Sequence, residues 1–221
     1  SRDQAWEFGL LGRWMERADK TSRLLDANWL LSEAPHEGAG ASLPSPVLEE
    51  LHWTGVLRCL GGYQMYRQHV VEPIAATSVS GYLLLDPRFP RSVRHCITAI
   101  NACLRGLLEQ PRRREQLQNL DHLLDRLSAS GTTRRRLYRL GADLPERARE
   151  LSQAGSDDQL EWLGGLLQAR WSHLTIDELL SDGIHASIDE LQSDLNQLDA
   201  RLHDRYLMTA EAETTCGVET A

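Results

Sequence analysis

Apolar residues along the chain recur at intervals of three, four or seven, the spacing that places them on one face of an α-helix. Phe8, Leu11, Met15, Ala18, Leu25 and Trp29 form the first stripe; Trp53, Val56, Leu60 and Tyr63 form the second. Val93, Ile97, Ile100, Leu104 and Leu107 make a third, and Leu117, Leu120, Leu124 and Leu127 a fourth. Leu160, Leu163, Leu167 and Trp171 give another; Ile184, Ile188, Leu191, Leu195, Leu198, Leu202 and Tyr206 give the longest. No stretch alternates with period two, so no sheet is expected. The pattern predicts an all-α fold, an antiparallel up-and-down helical bundle of about seven or eight helices.

Helix punctuation agrees with the stripes. Residues 34–46 are expected to be a flexible loop, closed by Ser45 as N-cap with Pro46 in the first helical turn. Asp86-Pro87-Arg88-Phe89-Pro90 is expected to break one helix and begin the next at Pro90, and Gly131 with Thr132 to separate two more. Ser156 with Gln159, and Thr175 with Glu178, have capping-box spacing, in which side chains satisfy free amides reciprocally. Pro145 should end or kink its helix. Periodicity stops after Tyr206, which predicts a helical domain over 1–207 and a disordered tail over 208–221.

Composition narrows the function. The 221 residues are 41% hydrophobic and 25% charged, the profile of a folded globular chain. A net charge of −8 opposes long-range attraction to nucleic acid or anionic membrane, and neither is expected as a partner. No run of about 18 apolar residues exists to span a membrane. Of 24 basic residues only Lys20 is a lysine, which favours bidentate recognition of carboxylate or phosphate wherever arginines cluster; coding bias is the plainer explanation. Arg112–Arg114 and Arg134–Arg136 are charge runs of the kind that usually form a solvated face. Cys59, Cys96, Cys103 and Cys216 contain no CxxC pair. Cys96 and Cys103 stand two turns apart, ~10 Å along a helix, too far to bridge. Reduced thiols in a cytoplasm are the expectation. The chain opens at Ser1 with no methionine and no signal-like segment, as a fragment or processed chain would.

The first helix carries the most unusual surface. Gly9, Gly12, Glu16 and Arg23 share a flank, with Arg13, Arg17, Asp19 and Lys20 beside them. Glycine inside a helix costs about 1 kcal/mol relative to alanine, and the missing side chains let another backbone or a ligand approach. Glu16 is the candidate acid, base or metal ligand, and Arg13, Arg17, Asp19 and Arg23 are candidate binding residues. The competing reading is a tight helix crossing rimmed by an ion-pair ladder. In the 86–92 loop, Asp86, Arg88, Arg91 and Ser92 are candidate ligand-binding residues: if Pro90 starts a helix, its free amides and dipole favour an anion, and Arg88, Arg91 and Ser92 add donors. The alternative there is a rigid corner with Asp86 capping and Phe89 buried.

His185 stands at the start of the last helix, with Asp189 one turn on and Asp182 one turn back, a setting that can orient an imidazole as general base. A hydrogen-bonded structural histidine is the commoner outcome. Glu49 and His52 match one half of a di-iron pattern, but Asp182 and His185 are only a partial second copy. No metal is expected, and the residues assign no cofactor.

Several segments resemble the bacterial alpha-E family: Trp6-Glu7-Phe8 leading to Gly12-Arg13-Trp14-Met15-Glu16-Arg17-Ala18-Asp19-Lys20; Trp53-Thr54-Gly55-Val56-Leu57-Arg58; Leu83-Leu84-Leu85-Asp86-Pro87-Arg88-Phe89-Pro90-Arg91-Ser92-Val93; and Gly183-Ile184-His185-Ala186-Ser187-Ile188-Asp189. The resemblance implies an all-helical domain whose characteristic glutamate is Glu16. It also implies company: an ATP-grasp ligase, a transglutaminase-like peptidase, and a peptide being formed or modified. Whether the chain is itself catalytic or a scaffold for such a ligase is left open by the resemblance. The chain is similar to the later half of the family domain, with 110–155 longer than expected, so a pocket between halves would be incomplete.

Overall fold

A computed structural model describes residues 4–33, 46–108 and 156–206, and every regular element among them is a helix. In chain order these are α1 (Gln4–Glu33), α2 (Pro46–Cys59), α3 (Tyr63–His69), α4 (Ala76–Leu85), α5 (Val93–Leu107), α6 (Ser156–Ser172), α7 (Ile176–Asp182) and α8 (Ile184–Tyr206). The all-α expectation holds. The stripe at 117–127, the arginine clusters, Gly131, Pro145, Ser45, Cys216 and the 208–221 tail lie outside the described residues. No described helix is long and apolar enough to cross a membrane.

The chain divides into two compact units, one of residues 12–99 and 174–192, the other of 1–11, 100–173 and 193–221. Helices α1, α5 and α8 contribute residues to both.

In the 12–99 unit, Met15, Ala18 and Leu25 of α1 are buried as their spacing requires, while Trp29 is half-buried. The second stripe is split. Gly61 adopts φ 66°, its amide donates to the Arg58 carbonyl (3.0 Å), and the Gly62 amide donates to that of Leu57 (2.8 Å). This pair of bonds is a Schellman cap, which needs a residue that tolerates the left-handed region. Tyr63, expected to continue the second helix, therefore opens α3. A β-carbon on Gly62 would lie 3.0 Å from Phe89 Cζ, so the missing side chain admits that ring. Phe89 stacks on Tyr82 with centroids 4.9 Å apart, and Tyr66 meets Tyr82 edge-on at 5.2 Å.

Caps fix the neighbouring helices. The Ala76 amide at the start of α4 donates to Glu49 Oε1 of α2 (3.1 Å), and the Ala75 amide donates to Ser78 Oγ (3.1 Å). At α7, the Glu178 amide donates to Thr175 Oγ1 (3.3 Å) and the Thr175 amide to Glu178 Oε2 (2.9 Å), the reciprocal box the spacing predicts. Ser156 begins α6.

The other unit is held by long-range side-chain pairs. Phe8 of α1 packs edge-on to Tyr206 of α8 at 5.7 Å, and Arg205 reaches Asp157 of α6 at 2.6 Å. Arg170 pairs with Asp194, and Asn101 donates to Gln168. Helices α5 and α6 meet tightly at Gly164 of α6, where a β-carbon would stand 2.6 Å from Leu104 Cδ1 of α5. Leu160, Leu167, Leu195, Leu198 and Leu202 are buried, as their stripes predict; Leu163 is half-buried.

Candidate functional site

The first-helix residues point two ways. Leu11, Met15, Ala18, Thr21, Ser22 and Leu25 turn inward, so Gly12, Arg13, Glu16, Lys20 and Arg23 occupy the outward face. Glu16 pairs with Lys20 one turn on (2.5 Å), and the two side chains remain 60% and 70% exposed. The hydrogen bond and charge of the Lys20 ammonium hold the Glu16 carboxyl below its ordinary value. Asp19 receives Arg23 Nε on both oxygens, at 2.8 and 2.9 Å. Both pairs run acid to base at i,i+4, the favourable order on a helix. Arg13 is exposed and makes no ion pair among the described residues. A β-carbon on Gly12 would meet nothing within 4 Å, and the same is true at Gly9. The glycines therefore admit no neighbour from within the described chain.

Arg17 leaves this face. Its guanidinium lies 4.7 Å from the Trp14 ring centre, and Trp14 in turn leans on His95 of α5 at 5.5 Å. The cation lies over the indole face; it makes no ion pair with the Glu16 carboxylate, although its charge helps to lower that group.

The 86–92 loop is a closed corner. Asp86 Oδ1 accepts the amides of Arg88 (2.7 Å) and Phe89 (3.1 Å), while Oδ2 accepts Arg88 Nη2 at 3.0 Å. Burial alone would raise the Asp86 carboxyl, but the Arg88 guanidinium and the two amides outweigh it and leave it below its ordinary value. Ser92, fully buried, donates through Oγ to the Asp86 carbonyl and accepts the His95 amide at 3.1 Å. It is the N-cap of α5, so the helix begins at Val93 and not at Pro90 as expected. Its hydroxyl fills the position an anion would need. Arg91 Nη1 donates to the Leu60 carbonyl (2.9 Å), and its own carbonyl accepts Thr21 Oγ1 (2.8 Å). These bonds tie the corner to α1 and to the end of α2.

His185 has the partner expected on its own helix and one that sequence reasoning missed. Its Nδ1 is 2.8 Å from Asp26 Oδ1 of α1, and its Nε2 is 3.4 Å from Asp189 Oδ2. The hydrogen bond and charge of Asp26, with the charge of Asp189, hold the imidazole above its ordinary value. Asp26 and His185 are 159 positions apart, so no local spacing announces the pair. Asp182, the other acid expected near His185, ends α7 before Gly183, whose φ of 90° separates the two helices.

The candidates thus form three separate groups. Asp26 lies ten residues beyond Glu16 on α1, ~15 Å along the axis. Glu49, half of the expected di-iron motif, caps α4, and His52 lies edge-on to Trp53. An open groove of about 590 Å³ is lined by Val70, Pro73, Ser78, Gly81, Leu85 and Ile176 among others; Asp86 contributes to it, but Glu16 and His185 do not.

Comparison with known proteins gives one result. The model of the Alpha-E family, described as a predicted alpha-helical domain with a conserved ER motif, matches residues 1–207. Glu16-Arg17 is one occurrence of that dipeptide; Glu146-Arg147, outside the described residues, is another. No curated protein and no solved structure matches the chain. The family match is one stretch across 1–207, so the expectation that the chain corresponds to a later half of the domain is not borne out. The chain belongs to the Alpha-E family.

Proposed function

We propose that this chain is a helical docking subunit of an ATP-grasp-linked system that forms or modifies peptides, and that the outward face of α1 is its contact surface. The observation that carries the reading is the exposure of Glu16: its carboxylate stands in solvent beside open Gly12, with Arg13, Lys20 and Arg23 on the same face. A catalytic acid or base works in a site that excludes water and gathers its other groups around the reacting atoms. Here the loop residues are committed to the corner they build, and His185 is remote from Glu16. A rim of exposed charges suits recognition and orientation of a charged partner surface. An ATP-grasp ligase is the favoured partner; a transglutaminase-like protein or the peptide product are the alternatives. The system is cytoplasmic in this reading.

The test is isothermal titration of an ATP-grasp ligase from the same genome into wild-type and Glu16→Arg protein, with thermal melts of both. We expect an unchanged melting temperature and affinity weaker by at least about tenfold. Equal affinity for the two proteins would remove Glu16 from the contact surface, and no binding to wild type would remove the ligase as partner.

A further inference from the structure

We propose that His185 and Asp189 of α8, backed by Asp26 of α1, form a binding site for a zinc-class divalent ion. His185 Nε2 and Asp189 Oδ2 are the ligands, and Asp26 fixes the imidazole from behind. The site is independent of the α1 docking face and departs from the expectation that the chain binds no metal.

The geometry begins with the helix. Residues four apart stand on the same face, so His185 and Asp189 project side by side. Two donor atoms each ~2.1 Å from a tetrahedral zinc ion are ~3.4 Å apart. His185 Nε2 and Asp189 Oδ2 are 3.4 Å apart. One ligand atom from each of Asp26, His185 and Asp189 lies within 4.8 Å of the others.

Asp26 supplies what a metal-binding imidazole ordinarily has on its far side. Its carboxylate is only 17% exposed and accepts the proton of His185 Nδ1 at 2.8 Å. That bond fixes the tautomer in which the Nε2 lone pair faces outward, the carboxylate–histidine–metal arrangement. Charge favours the same occupant. Among the described residues neither Asp26 nor Asp189 is paired with a lysine or arginine, so there two carboxylates flank one imidazole without a fixed cation. With His185 and Asp189 side chains 50% and 61% exposed, solvent or a ligand atom has access to complete the coordination shell.

A proton on His185 is the competing occupant, and zinc titration separates the two. Zinc chloride is titrated into the full chain at neutral pH, and the His185 ring nitrogens are followed by long-range ¹H–¹⁵N spectra. We expect one zinc equivalent whose binding shifts the Nε2 resonance, lost in His185→Gln and weakened at least about tenfold in Asp189→Asn. Asp26→Asn should retain binding with affinity about 10–100-fold lower. Asp189 is exposed, so its variant tests the ligand role even if His185→Gln fails to fold. An Nε2 resonance that zinc leaves in place, or equal zinc affinity in wild type and Asp189→Asn, would overturn the site.

Discussion

Two glycines inside helices of this chain have opposite physical meanings. At Gly164 a β-carbon would press on Leu104 Cδ1 at 2.6 Å and on Asn101 Oδ1 at 3.2 Å, so the absent side chain permits a helix crossing. Gly164→Ala sets an overpacking cost of about 1–3 kcal/mol against a helix-backbone gain of about 0.5–1 kcal/mol, so it should be net destabilising. At Gly12 a β-carbon would meet nothing within 4 Å. Gly12→Ala should therefore raise stability by about 0.5–1 kcal/mol, since only the helix's own backbone entropy is at stake. Urea unfolding of the two variants beside wild type checks both signs. A destabilised Gly12→Ala chain would mean that something packs on that face. The same distinction explains why the sequence alone leaves a tight crossing and an open surface as rival readings of Gly9 and Gly12: a helical glycine looks identical in both.

Among the elements, the 86–92 corner and α8 show two different sources of order. The corner rests on Asp86, whose ionised form accepts the Arg88 and Phe89 amides and the Arg88 guanidinium. Its carboxyl is held below the ordinary value in the folded chain, so its stabilisation is present above the unfolded value, about 3.9, and is lost as pH falls through the folded one. Asp86→Asn should flatten the fall of melting temperature in that acid window. A wild-type acid limb that is unchanged by the substitution would show that the carboxylate does not hold the corner. Helix α8 rests instead on its apolar stripe, from Ile184 to Leu202. Leu195→Ala removes a buried side chain and should cost ~2–5 kcal/mol by chemical denaturation. A loss below about 1 kcal/mol would indicate a site that collapses around the cavity.

Across the whole chain, burial was legible where one helix face repeats the same signal. Every residue of the α5 stripe, Val93 to Leu107, is buried, because apolar spacing and inward orientation are the same fact in a helix. Spacing alone misled at Tyr63, where three-and-four intervals run straight through the left-handed turn at Gly61. At the corner Pro90 was the expected helix start, and the Ser92 hydroxyl bond to the His95 amide moved that start to Val93. What the sequence did not yield were contacts between distant segments: Glu49 on the Ala76 amide and Asp26 on His185 carry no local pattern. The resemblance found the helix that bears Glu16, but its outward aspect follows from which of its neighbours are buried. The docking reading rests on that aspect, and Gly12→Trp interrogates it directly. Gly12 is exposed and a β-carbon there meets nothing within 4 Å, so an indole should leave the described core intact and the melting temperature should not fall below that of wild type. Titrated with the ATP-grasp ligase, the variant should bind at least about tenfold more weakly, because its bulk occupies the contact face. Full affinity in a folded Gly12→Trp chain would contradict the claim that this face of α1 receives the partner.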